Sequence, residues 1–103
     1  MNCFLYRLVP PRQTFDRDMS ENERAIMARH VAYWRDLAER GHVIVFGPVT
    51  DPNGSWGLAV VAAASAEDVH AFGLTDPAIL TQLARFEVCA MPHAIVGKTR
   101  SVT

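Results

Sequence analysis

Apolar positions along this chain alternate and recur in a pattern that predicts four strands and two main helices in the order βαββαβ. Asn2-Cys-Phe-Leu-Tyr-Arg-Leu-Val9 is rich in residues that suit a pleated surface. Pro10-Pro11 end that strand, because proline cannot donate to a ladder. Residues 10–19 read as a polar loop containing Arg12 and Phe15. Ser20 and Glu23 have the spacing of a capping box, in which the Ser hydroxyl takes an orphan N–H and the Glu reaches back. From there Ile26, Met27, His30, Tyr33, Trp34 and Leu37 recur on one face, predicting a helix to about Arg40 that Gly41 stops. His42–Gly47 and Ser55–Ala63 are the next strands. Asp51-Pro-Asn-Gly54 has the residues of a type I turn, so the two strands form a hairpin. Ser65 caps a second helix with Val69 and Phe72 facing in and Gly73 as its expected end. Asp76-Pro77 starts a short third helix carrying Ile79, Leu80 and Leu83, and Arg85–Val96 makes the last strand.

This order predicts an α+β fold, a ferredoxin-like antiparallel sheet with helices on one face. The strands, however, are apolar on both sides. Phe4, Tyr6 and Leu8 oppose Leu5 and Val9; Ile44 and Phe46 oppose Val43 and Val45; Trp56, Leu58 and Val60 oppose Ala59 and Val61. An antiparallel sheet with one wet face alternates apolar with polar. The helices can cover only one face, so the other is expected to meet a second copy of the chain, giving a homodimer. Residues 1–97 form the single expected domain, followed by a polar tail over 98–103.

Composition narrows the function classes. A chain of 103 residues with formal net charge −1 and pI near 6.4 has no electrostatic footprint for nucleic acid or an anionic membrane. Its basic residues sit beside acids, as in Asp16-Arg17-Asp18 and Glu39-Arg40. No run approaches the roughly 20 apolar residues of a membrane span. The apolar start is short, interrupted by Arg7 and ended by prolines, unlike a secretory signal. A cytoplasmic protein is therefore expected, with Cys3 and Cys89 as reduced, buried thiols. No CxxC, HxxxH or HExxH spacing is present, so no metal is expected. The absence of GxGxxG and GxxxxGK[ST] removes the usual phosphate cradles, and no nucleophile elbow supports acyl chemistry. The chain is expected to work without a cofactor.

The candidate chemistry centres on His30, which falls in the middle of an apolar helical stripe. A titratable group there needs a partner. Either it is a general acid or base held between helix and sheet, where an imidazole titrates near neutral pH, or it is a core histidine bonded to a backbone carbonyl. Asp76 is the distant candidate partner, able to orient and charge an imidazole; as the residue before Pro77 it also suits a plain helix cap. Tyr6, Trp34 and Phe46 would wall a pocket, and Gly47, before Pro48, would let a ligand approach the backbone. His42, His70 and His93 read as structural or solvated, and Arg7 and Arg12 as surface cations.

Arg29-His30, the step from His30 to Gly41, Phe46-Gly-Pro-Val49, Asp51-Pro-Asn-Gly54 and Asp76-Pro77 stand in an order that resembles the YciI-like (YCII-related) family. Arg12-Gln-Thr-Phe15 with Asp18-Met19 is similar to one subgroup of it. The resemblance covers the chain to about residue 96 and implies a dimeric α+β barrel with a site on a His and an Asp, matching His30 and Asp76. One branch resembles a dehydrochlorinase of chlorinated hydroxyhydroquinones, and the fold is akin to muconolactone isomerase. Together these imply acid–base chemistry, isomerisation or elimination, on a small cyclic or aromatic compound. The alternative is a non-catalytic module that binds a small ligand or a protein.

Overall fold

The computed structural model describes residues 2–98. The chain runs β1 (Asn2–Val9), α1 (Phe15–Asp18), α2 (Glu21–Glu39), β2 (Val43–Val49), β3 (Trp56–Ala63), α3 (Ala66–Leu74), α4 (Pro77–Leu80) and β4 (Arg85–Met91). The strands form one antiparallel sheet in the order β2-β3-β1-β4, the ferredoxin-like arrangement that the βαββαβ order predicts. Phe4, Tyr6 and Leu8 of β1 and Ala59, Val61 and Ala63 of β3 point to the helical side. There they bury Trp34 and Leu37 of α2, Val69 of α3 and Ala78 of α4. The expected tail over 98–103 lies outside the described residues apart from Lys98.

The local signals account for most of the element ends. Glu23 N–H donates to Ser20 Oγ at 3.1 Å and Ser20 N–H to Glu23 Oε1 at 2.9 Å, completing the capping box that starts α2. At its other end Gly41 N–H donates to the Ala38 carbonyl and His42 N–H to that of Leu37, with Gly41 at φ 87°. This is the Schellman pair, and it needs the left-handed residue that glycine supplies. The β2–β3 turn closes through Gly54 N–H to the Asp51 carbonyl, and Asp51 Oδ1 accepts from Asn53 N–H.

Several expectations need correction. The polar loop over 10–19 contains a helical turn, α1, because Phe15 buries its ring there. Gly73 does not end α3, which continues to Leu74 with Thr75 as its cap. Gly73 is instead buried against Phe86, whose ring carbons would lie 2.5 Å from an added Cβ, so its role is close approach of helix to strand. Leu80 of α4 is exposed, and Ala78 is the residue that this short helix buries. In β2 a register shift between Val43 and Val45 changes the facing: Val43 and Phe46 pair with the inward Val61 and Ala59, and Val45 turns outward. β4 stops at Met91 rather than Val96, since Pro92 has no N–H to pair and His93 takes φ 61°. Cys3 is half-buried and Cys89 exposed, so neither thiol is the buried one expected; both are free.

Candidate active site

Asp76 sits at the junction of α3 and α4, directly before Pro77, whose fixed φ suits a first helical position. Its carboxylate is fully buried. Oδ1 accepts from Ala78 N–H at 2.9 Å, which is the capping bond, and Oδ2 accepts from Tyr6 Oη–H at 3.0 Å and Trp34 Nε1–H at 2.8 Å. The fourth donor is His30. Its Nδ1 lies 2.9 Å from Oδ1 and 3.0 Å from Oδ2. A carboxylate has about four lone-pair sites, so this one is filled by protein donors.

That arrangement fixes protonation. Burial alone would raise the Asp76 carboxyl, but the hydrogen bond and charge of His30, helped by Trp34 and Ala78, outweigh it and hold the group below its ordinary value. Burial, and then the charge of Asp76 beside it, push the Tyr6 phenol far above its ordinary range, so it stays protonated and donates. An ionised Asp76 can only accept, so His30 must carry its proton on Nδ1. When the ring is neutral, its lone pair is therefore on Nε2. Among the described residues nothing hydrogen-bonds to Nε2, and the His30 side chain retains 13% of its surface.

His30 lies on the wall of a cavity of about 400 Å³ between α2, the 10–19 segment and the β2–β3 end of the sheet. Tyr6, Trp34, Phe46 and Gly47 are also on that wall, and Asp76 stands behind it. The Tyr6 ring packs at 4.4 Å from Trp34 and 5.2 Å from Phe86, which leaves little freedom to the groups that hold Asp76. The remaining walls are chiefly apolar, with Leu8, Phe15, Met19, Met27 and Trp56 among them. A largely apolar cavity of this size with few polar groups on its wall suits a small ring compound.

The YCII-related domain family matches residues 5–92. The chain belongs to that family. Among solved structures of similar fold is 5-chloro-2-hydroxyhydroquinone dehydrochlorinase from Burkholderia phenoliruptrix AC1100, in complex with 2,5-dihydroxybenzoquinone. It superposes with a TM-score of 0.65 at 20% identity, covering 89% of this chain and 95% of that one, a likeness of fold. No curated protein sequence matches the chain.

In this YCII-related protein the structure brings together the two residues singled out in sequence, although 46 positions separate them. It also gives Tyr6 and Trp34 a bond to Asp76 that their reading as pocket walls did not include. The walls from the 10–19 segment, Pro10, Phe15, Asp16 and Met19, were missed. A lone aromatic in a polar stretch, Phe15, was the available signal. Arg12 is a surface cation as expected, spent on Asp18 at 2.8 Å and on Glu23 at 2.7 Å, and its hydrogen bond brings the Glu23 carboxyl down to about 2. His42 packs at 5.3 Å from Phe72 and His70 at 4.9 Å from Phe86, away from the cavity wall. Among the described residues no cluster of three His, Cys, Asp or Glu could hold a metal ion, and no helix is long and apolar enough to cross a membrane.

Proposed function

We propose that this protein is an acid–base enzyme that isomerises, or eliminates a leaving group from, a small cyclic or aromatic compound. The observation that carries this is His30: its Nδ1 is locked on a buried carboxylate while its other nitrogen is unbonded at the wall of an apolar cavity. Neutral His30 takes a proton at Nε2 from a ring hydroxyl or from a carbon beside a carbonyl. The electron pair left on the substrate either moves through the ring, with the proton returned elsewhere, or expels a leaving group as its anion. The imidazolium formed keeps its Nδ1–H on Asp76, whose charge stabilises it. Asp76 has no free lone pair for a ligand, so it is a positioning residue. Tyr6, Trp34, Phe46 and Gly47 bound the space that the ring fills. The fold shared with a dehydrochlorinase that held a dihydroxybenzoquinone supports the choice of a ring compound.

The test is turnover of a panel of chlorinated hydroxyhydroquinones, phenols and small lactones, followed by halide release and ring absorbance. His30→Gln should lower any rate found by 10²–10⁴-fold, the usual range for a lost general acid–base, roughly, with the melting temperature little changed. Equal rates in the two proteins would remove the catalytic reading and leave a binding module.

The same reading includes a homodimer built on the sheet face opposite the helices. Val45 at 53% and Met91 at 37% exposure lie there with half-buried Leu5, Leu58 and Val60. Arg7, on the same face, has a buried Nε with no hydrogen-bond partner, the kind of orphan that an interface satisfies.

A further inference from the structure

Resting on the cavity being the ligand site, a second polar element in its wall points to the class of ring that enters. Asp16, on the single turn α1, and Ser55, at the start of the strand opposite, both line the cavity, and Ser55 Oγ–H donates to Asp16 Oδ2 at 3.2 Å. Asp16 Oδ1 has no donor among the described residues. The turn that carries it is fixed on two sides. Arg12 ties it to Asp18 and to Glu23 at the start of α2, and Gln13 Nε2–H donates to the Asn53 carbonyl at 2.7 Å. A side chain at residue 54 would strike Gln13, its Cβ falling 2.8 Å from the Gln13 Cγ, so Gly54 is what allows the two loops to meet there.

Among the described residues no lysine or arginine is on the cavity wall. Arg12 is already paired, and the Arg7 guanidinium lies 4.6 Å from the Trp56 ring centroid without reaching the wall. Asp76 behind neutral His30 and Asp16 on the wall give the site two carboxylates. With His30 neutral, an occupant therefore meets two acceptors, the Nε2 lone pair of His30 and the open oxygen of Asp16, and no cation among the described residues to balance an anion.

We propose that Asp16, supported by Ser55, is a specificity-determining residue that admits uncharged rings bearing hydroxyl donors and turns away rings bearing a carboxylate. The hydroxyl donates to Asp16 Oδ1, and the apolar walls bury the ring. A carboxylate has no donor to offer and would sit beside a like charge.

Calorimetric binding at pH 7 of catechol and hydroquinone against 3,4-dihydroxybenzoate tests this, since the last keeps the two hydroxyls and adds one ionised group. The neutral rings should bind roughly tenfold tighter, the order expected of a like charge in contact at a partly exposed site. Asp16→Asn removes the charge from an exposed side chain and should close most of that gap. Ser55→Ala, which leaves the carboxylate in place, should preserve it. Equal binding of the two classes by the unmodified protein, no binding of either, or a gap that persists in Asp16→Asn would each overturn the proposal. These are binding measurements, so they separate from the reading of function. A protein that prefers neutral rings but turns none over sinks only the acid–base reaction, and an active one without the preference sinks only this inference.

Discussion

A capping aspartate needs one donor, and Asp76 has four. Losing a plain cap costs about 1 kcal/mol. Asp76→Ala would instead strand the Tyr6 hydroxyl, the Trp34 indole N–H and the Ala78 amide together, and a broken buried network of this kind typically costs about 3–5 kcal/mol. Chemical denaturation of the variant against the unmodified protein measures the difference, and a loss near 1 kcal/mol would mean that the network holds little. The same residue sets a pH limit. Its folded-state carboxyl lies below its ordinary value, so the stability it adds is complete above about pH 4 and is lost as pH falls through the folded value. Asp18, Glu23 and Asp51 are lowered as well, by Thr14, Arg12 and the Asn53 amide respectively, and add to that acid limit in the same direction. The residue types of the His–Asp pair were readable because a titratable group in an apolar stripe and an Asp before Pro are both unusual enough to notice. The donors from Tyr6 and Trp34 were not, because an aromatic that packs and an aromatic that also donates leave the same mark in a sequence.

At the level of elements, punctuation was the legible part. The capping box at Ser20, the stop at Gly41 and the Asp51–Gly54 turn each depend on neighbouring residues only, and each stands where its residues say. Gly73 shows the limit of that method. A glycine near the end of a helical pattern looks like a terminator, yet its use here is to let α3 settle onto the Phe86 ring of β4, a contact across the fold. Gly73→Ala separates the two roles. At a helix stop the exchange would alter a cap; in a helix interior, alanine alone would favour the helix by up to about 1 kcal/mol. With a Cβ forced against Phe86 the variant should instead lose about 1–3 kcal/mol, the usual range for overpacking, and Phe86→Leu should recover part of it. Unchanged or raised stability in Gly73→Ala would show that the ring gives way freely. The β2 register shift was illegible for the same reason, since it is visible only once Val43 and Val45 have partners in β3.

For the whole molecule the open question is what meets the helix-free side of the sheet. A charge at Leu58, facing out between β2 and β1, should dissociate a dimer built there, and light scattering should then report a single 11.4 kDa chain where the unmodified protein reports twice that mass. A monomer from the outset would defeat the dimer. The placement of the tryptophans has a practical consequence. The chain has only two, Trp34 and Trp56; both line the cavity, and each indole N–H rests on a carboxylate, of Asp76 and of Asp51. All the indole fluorescence of the protein therefore originates at the site. Trp34, at 1% exposure, emits from an apolar setting, while half-buried Trp56 emits further to the red. A molecule filling the cavity would lie against residues that carry both fluorophores, so indole emission gauges whether the cavity is filled.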